Sequence, residues 1–290
     1  MTKVYDRPAE DLGNVVNLGH VNVNIPDQRD ATQFYISGLG LTRDPYVNTS
    51  TRVMWVNVGM SQFHLPGGDP TVVNGVVGLV IPDREALLKR LAEVKKTLEG
   101  TQYSFSETND AVEAICPWGN KIRVHTPDVA RFGRIQLGIP YVEFNVRPGT
   151  VDRIARFYRE IMLTPAEAYK DAEGPKAKVQ AGEKQYFIFR ETDQPIPAYD
   201  GHHVQIFISN FSGPYRKQVE LGLLTIEWGQ YEWRFNDVID LDTKEVLFTM
   251  EHEVRSHTHP MYGRPLVNRN PAQDNRNYKP GHDSLSWALP

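Results

Sequence analysis

The chain repeats itself, and the repeat limits the fold more than any other feature. Val58-Gly59-Met60-Ser61-Gln62-Phe63 returns as Ala181-Gly182-Glu183-Lys184-Gln185-Tyr186, with Gly182 standing 123 residues after Gly59. Phe34-Tyr35 followed by Leu41-Thr42 returns as Phe157-Tyr158 followed by Leu163-Thr164. A period this long in a chain of 290 residues means two copies of one plan rather than a solenoid of short repeats.

Each copy contains the same motif twice. Leu18 to Ile25 alternates with period two, placing His20, Asn22 and Asn24 on one face of a strand and apolar residues on the other. Asp27 caps a following helix that carries Phe34 and Tyr35 and stops at Gly38-Leu39-Gly40. Three strands follow, at Leu41 to Val47, Arg52 to Val58 and Ser61 to Leu65. The unit is βαβββ. A second begins with the Gly75 to Ile81 strand, continues in a helix from Arg84 to Leu98, and ends on Lys121 to His125. A third opens on Tyr141 to Val146, and a fourth on His202 to Phe207, closing with Val246 to Glu253. The predicted division is an arm over 1–17, domains over 18–132 and 133–255, and an irregular tail over 256–290, where Pro, Asn, Arg and Gly dominate without periodicity.

Composition narrows the partners. A net charge of -4 provides no basic surface for nucleic acid or anionic membrane, which leaves a small molecule. Cys116 is the only cysteine, so neither an intrachain disulfide nor a cysteine-based zinc site can form, and a reducing cytoplasm suits the chain. The N-terminal segment lacks the apolar core of a signal peptide or anchor. The sequence contains no phosphate-binding glycine loop and no nucleophile elbow. Lys89-Arg90 and Lys95-Lys96 read as the wet face of the second helix, and Trp228, Tyr231 and Trp233 as strand packing. The loop histidines His257 and His259, with His252, are candidates for an edge metal site.

Gly19-His20-Val21-Asn22-Val23, Pro26-Asp27, Phe34-Tyr35, Gly38-Leu39-Gly40-Leu41 and Gly59-Met60-Ser61-Gln62-Phe63-His64-Leu65 together resemble the opening unit of the vicinal-oxygen-chelate superfamily, which includes glyoxalases, bleomycin-resistance proteins and extradiol dioxygenases. The resemblance spans Leu18 to Glu253. It implies an α+β fold in which four βαβββ units pair into two cup-shaped half-open barrels. In that family a divalent ion sits in the cup, held from the first strands of two units and by a glutamate on a final strand.

Against that pattern, His20 stands at a first-strand ligand position. The Asn74 to Leu79 strand offers no ligand, and Arg123 occupies the position of the family's glutamate; a guanidinium cannot ligate a cation. The N-terminal half therefore reads as a polar pocket of His20, Asn22, Arg123 and His125, with His64 nearby and Arg123 able to grip an anionic or carbonyl-bearing ligand. In the C-terminal half the first-strand position is Tyr141, with Glu143 on the same face. His203 shares its face with Gln205, and Glu251 shares one with Thr249 and Glu253. The expected ligands are Glu143, His203 and Glu251, with Tyr141, His203 and Glu251 doing the chemistry and Asn145 and Gln205 contacting substrate. The register of Glu251 is open by a residue or two, because the turn before it is not of the usual type.

The expectation is a metal-dependent enzyme using Fe, Mn, Ni or Zn, a glyoxalase-like lyase or extradiol-type dioxygenase acting on a small oxygen-rich or aromatic substrate. The alternative is a metal-free binding protein of the bleomycin-resistance type. Oligomeric state stays open, with a homo-oligomer allowed.

Overall fold

The computed structural model describes residues 5–47, 52–267, 270 and 272–282. Parts of the expected N-terminal arm (1–4) and tail (268–269, 271 and 283–290) lie outside the described residues. The first unit consists of β1 (Val15–Asn22), α1 (Gln28–Ala31), β2 (Thr42–Arg43), β3 (Val53–Val58) and β4 (Ser61–Pro66). The Asp27 carboxylate caps α1 by accepting the N–H groups of Arg29 and Asp30 at 2.6 and 3.2 Å. The helix continues as a π-helical stretch, Thr32–Gly38, that buries Phe34 and Tyr35. The second unit comprises β5 (Gly75–Val80), α2 (Arg84–Val94), β6 (Ser104–Glu107), β7 (Val112–Ile115) and β8 (Lys121–His125), and a short α3 (Val129–Phe132) leads onward.

In the third unit β9 (Gly138–Val146) precedes α4 (Val151–Phe157), β10 (Ala166–Asp171), β11 (Gly174–Gly182) and β12 (Gln185–Glu191). The repeat is visible here: α4 also relaxes into a π-helical stretch, Tyr158–Met162, beginning directly after Phe157. The fourth unit has β13 (His203–Ile208), α5 (Ser212–Glu220), β14 (Leu224–Glu227), β15 (Glu232–Ile239) and β16 (Val246–Ser256). The landmark glycines also have a cause. Gly59 turns the β3–β4 hairpin at φ +63°, where a Cβ would fall 2.0 Å from the Leu137 carbonyl oxygen.

The four units form two mixed eight-stranded sheets, two cups as expected, but the first unit joins the fourth and the second joins the third instead of the expected pairing within each half. One sheet runs β14-β15-β16-β13-β1-β4-β3-β2 and joins the fourth unit to the first. The other runs β10-β11-β12-β9-β5-β8-β7-β6 and joins the third to the second. Each sheet therefore draws one unit from either side of the 132/133 boundary. The local cause is the short link through α3, which returns β9 antiparallel to β5 and leaves β1 to be met by β13.

Gln185 stitches the sheets together. Its Oε1 accepts the Leu18 N–H at 3.0 Å while its Nε2 donates to the Ile139 carbonyl at 3.0 Å and to Ser61 Oγ at 3.1 Å. Phe144 of one sheet packs on Phe248 of the other with centroids 5.3 Å apart, inside one continuous apolar core. No helix among the described residues is long and apolar enough to cross a membrane.

The expected strand from Leu41 to Val47 shortens to Thr42–Arg43 because Asp44 turns the chain, its carboxylate accepting the Tyr46 N–H at 2.9 Å. The tail folds back on the first sheet. Buried Arg264 pairs with buried Asp44 and lies over the Tyr46 ring, 4.3 Å from its centroid, and Tyr46 meets Tyr278 edge-on.

Candidate metal centre

Cross-strand register writes the site. In the first sheet β1 is parallel to β4 and antiparallel to β13, and β13 is parallel to β16. Two rows of side chains cross these four strands: Gln62–His20–Gln205–Glu253, and beside it His64–Asn22–His203–Glu251. The exchange of His20 with His203, Asn22 with Gln205, Gln62 with Glu251 and His64 with Glu253 carries one row onto the other. The cup thus has a pseudo-twofold axis between β1 and β13.

At its centre three donor atoms converge. His20 Nε2 and His203 Nε2 are 3.3 Å apart; Glu253 Oε2 lies 3.4 Å from the second and 3.7 Å from the first. All three residues are buried. Ligands held at about 2.0–2.1 Å around a tetrahedral ion stand about 3.3–3.4 Å from one another, so the triangle fits a small divalent cation. Two imidazoles and a carboxylate are also the right chemistry for one.

The surroundings prepare those atoms. Glu251 Oε1 stands 3.2 Å from His203 Nδ1. A proton on Nδ1 would face that carboxylate and leave the Nε2 lone pair facing inward. Burial holds the His20 imidazole well below its ordinary pKa, and neighbouring His203, Arg255 and Arg234 push the same way against Glu253. A neutral ring keeps its lone pair. Burial alone would raise the Glu253 carboxyl, but Arg255 first, then His20, His203 and Arg234, outweigh it and hold the group ionised.

Arg234 reaches Glu251, Glu253 and Glu232 at 2.7, 2.8 and 2.7 Å, and Arg255 reaches Glu253 and Glu232 at 2.6 and 3.0 Å. Three carboxylates against two guanidiniums leave one formal negative charge beside the imidazoles. That balance favours a cation.

His64 occupies the twofold counterpart of Glu253. Its ring is stacked between Trp55, at a centroid distance of 3.8 Å, and His20, at 3.6 Å, and its Nε2 lies 3.0 Å from Gln62 Oε1. Gln205 lines the same space with a buried Nε2 that has no partner among the described residues. A Cβ at Gly19 would fall 1.9 Å from Gln205 Oε1, so a side chain there would displace the Gln205 amide. A small cavity of about 80 Å³ touches His20, and a larger recess of about 470 Å³ beyond Trp55 and Arg255 is walled by Trp228, Tyr231 and the tail residues Met261 and Tyr278.

The sequence-derived residues divide between the sheets. His20, Asn22, Gln205, His203 and Glu251 meet in the first, with Glu251 beside His203 rather than in the triangle. Arg123, His125, Tyr141, Glu143 and Asn145 belong to the second. There the row is Tyr186–Tyr141–Gly78–Arg123, and Glu143 aligns with Val76 and Ile188. Tyr141, Val76, Arg123 and Ile188 therefore take the places of His20, His203, Glu253 and His64.

The Tyr141 ring lies against Gly78, where a Cβ would meet it at 2.4 Å, and so fills the cup. Its hydroxyl is 2.9 Å from His125 Nε2, Arg123 pairs with Glu113 at 2.5 Å, and Glu143 with Arg190 at 3.3 Å. Asn145 donates to Asn74 Oδ1 at 3.2 Å and accepts from Arg190 at 3.0 Å. Among the others, His252 turns into the core, stacked on Phe235 and 2.6 Å from the Tyr158 hydroxyl, and Trp233 is buried there too. His257 and His259 pack on Tyr262 and Tyr231.

Sequence reasoning passed over Glu253, Arg234 and Arg255. Glu251 and Glu253 share a face, so alternation alone cannot choose between them; the pairing of Gln205 with Glu253 and of His203 with Glu251 does.

No protein-family model matches the chain, and no curated protein sequence matches it. Its fold is similar to that of glyoxalase I from Zea mays, with a TM-score of 0.58 and 12% identity over 83% of this chain and 92% of that one. A point variant of the same enzyme gives 0.56, with 11% identity over 84% and 95%. A protein of Bacillus subtilis subsp. subtilis str. 168 described as a candidate dioxygenase gives 0.54, with 14% identity over 84% and 86%. At such identities the likeness is one of fold, and it is the fold that the opening-unit motifs resembled.

Proposed function

From a chain with the vicinal-oxygen-chelate fold, we propose a metal-dependent enzyme that acts on a small oxygen-rich or aromatic molecule in the first-sheet cup. One observation carries the reading: donor atoms of His20, His203 and Glu253, from three strands and two units, lie 3.3 to 3.7 Å apart. These residues would hold the ion, and His64 is the side chain to complete the set. When bound, the ion would supply Lewis-acid polarisation of substrate oxygens and, if iron, a site for dioxygen chemistry.

The chain's own residues would do the rest. Glu251 keeps His203 in the ligating tautomer, and Arg234 and Arg255 keep Glu253 ionised and aimed. Asn22 and Gln205 offer amide groups to substrate oxygens. Trp55 and Tyr231 form an aromatic approach, and the tail segment from His259 to Arg264 closes the cup against water. A donor set of two imidazoles and one carboxylate favours an extradiol-type dioxygenase. Recruitment of His64, a third imidazole, would instead favour glyoxalase-like lyase chemistry.

The test is elemental analysis of protein purified without a histidine tag. Near-stoichiometric Fe, Mn, Ni or Zn is expected, lost in His203→Ala and Glu253→Gln and retained in Tyr141→Phe. Protein that stays metal-free after incubation with each ion overturns the proposal and leaves the metal-free binding protein.

A further inference from the structure

A second, larger cavity lies at the seam between the two sheets, beyond the His20–His203–Glu253 triangle, and the structure assigns it a ligand of its own: we propose that it binds a small aromatic carboxylate bearing a ring hydroxyl. The cavity measures about 630 Å³, within the range of small-molecule sites, and opens where the start of β16 meets the start of β5 and the end of β9 beneath the 196–202 loop. Phe144 and Phe248 form an apolar floor. Three donors face the space. Lys121 has no carboxylate partner among the described residues, the Asn74 Nδ2 is buried without an acceptor, and Arg147 lies at the rim with Glu245 at 3.0 Å. Those groups call for an anion.

The fourth polar element calls for a hydroxyl. His202 is buried at the wall, with Nδ1 2.6 Å from Asp200 Oδ1, and its Nε2 has no protein partner among the described residues. Asp200 is itself fixed, because its other oxygen accepts the Val72 N–H at 2.6 Å. With Nδ1–H donated to Asp200, Nε2 is left to face the cavity as an acceptor. The rim is built as well. Asn120 accepts the Val73 N–H at 2.9 Å and donates to the Thr71 carbonyl at 2.9 Å, which orders the segment carrying Asn74. An acceptor on one wall and unmatched donors on another, over an aromatic floor, fit a hydroxybenzoate-like molecule with its hydroxyl on His202 and its carboxylate toward Lys121.

The site is distinct from the metal cup although His202 and His203 are consecutive: His202 lines this cavity just before β13 begins, while His203 Nε2 faces His20. The proposal does not depend on metal.

Calorimetric titration of the full chain with 4-hydroxybenzoate, benzoate and phenol tests it, with binding located by amide chemical shifts. The expected result is that 4-hydroxybenzoate binds about tenfold more tightly than either comparator. It should shift the amides of Gly119, Lys121 and 198–202, weaken about tenfold in Lys121→Met and in His202→Asn, and be unchanged in His203→Ala. Lys121 is exposed, so its variant keeps the test decisive if His202→Asn folds poorly. No binding at millimolar concentration, affinity indifferent to both variants, or shifts confined to the residues around His20 would overturn the proposal.

Discussion

The two sheets share strand order, register and helix placement, yet one encloses a triangle of two imidazoles and a carboxylate and the other a tyrosine ring. Where the first has His20, His203, Glu253 and His64, the second has Tyr141, Val76, Arg123 and Ile188. The backbone makes a cup in either case, and four inward side chains decide what fills it. In the second cup an arginine sits where the first has a glutamate and pairs with Glu113 instead of serving a cation. Function in this architecture is set at a few register positions rather than by the fold.

The contrast can be broken or sharpened in three steps. The largest effect is expected at Glu251, whose carboxylate fixes His203: Glu251→Gln should weaken metal affinity about 10- to 100-fold by competitive chelator titration, with little change in the apo protein's secondary structure. Unchanged affinity would mean that the His203 tautomer is set elsewhere. A smaller effect is expected in the filled cup, where Tyr141→Phe removes the hydroxyl from His125. That variant should cost about 1 kcal/mol in urea unfolding without altering metal content. A loss of metal there would show that the sheets do not act independently.

The smallest effect concerns acid. Burial first, and then Arg131, lowers the His125 pKa below its ordinary value, partly opposed by Asp110. The unfolded chain thus takes up this proton before the folded one. The contribution of His125 to stability is whole above the ordinary histidine pKa and declines as pH falls below it. In chelator-treated protein, His125→Gln should lose less stability between about pH 7 and pH 5 than the parent, as read by the urea midpoint; an equal loss would assign acid sensitivity to other histidines.

Much of this was legible in the sequence. The repeat gave four units, and alternation placed His20 and His203 on polar faces; the missing ligand on the Gly75 strand and Arg123 in the last strand read locally as features of the cup holding His20, whereas they belong to the sheet of Tyr141. What local pattern could not supply was partnership between distant strands. Whether β1 lies beside β5 or β13 is settled by chain return through α3, and that choice brings His20 to His203 across 183 positions. The choice of Glu253 over Glu251 also depends on a neighbouring strand. Arg234 and Arg255 gain meaning only when β15 and β16 set them beside those carboxylates. The tail carries no periodic signal, because Arg264 and Tyr278 are held by individual contacts to Asp44 and Tyr46 rather than by a repeating face.

The central claim is that one cup chelates and its twin does not. Anomalous diffraction at the absorption edge of the bound metal tests it directly. The account predicts a single peak at about 2.0–2.2 Å from His20 Nε2, His203 Nε2 and a Glu253 oxygen, with nothing beside Tyr141 and Arg123. A peak in the second cup or at the tail histidines, with the His20–His203–Glu253 triangle empty, would contradict it.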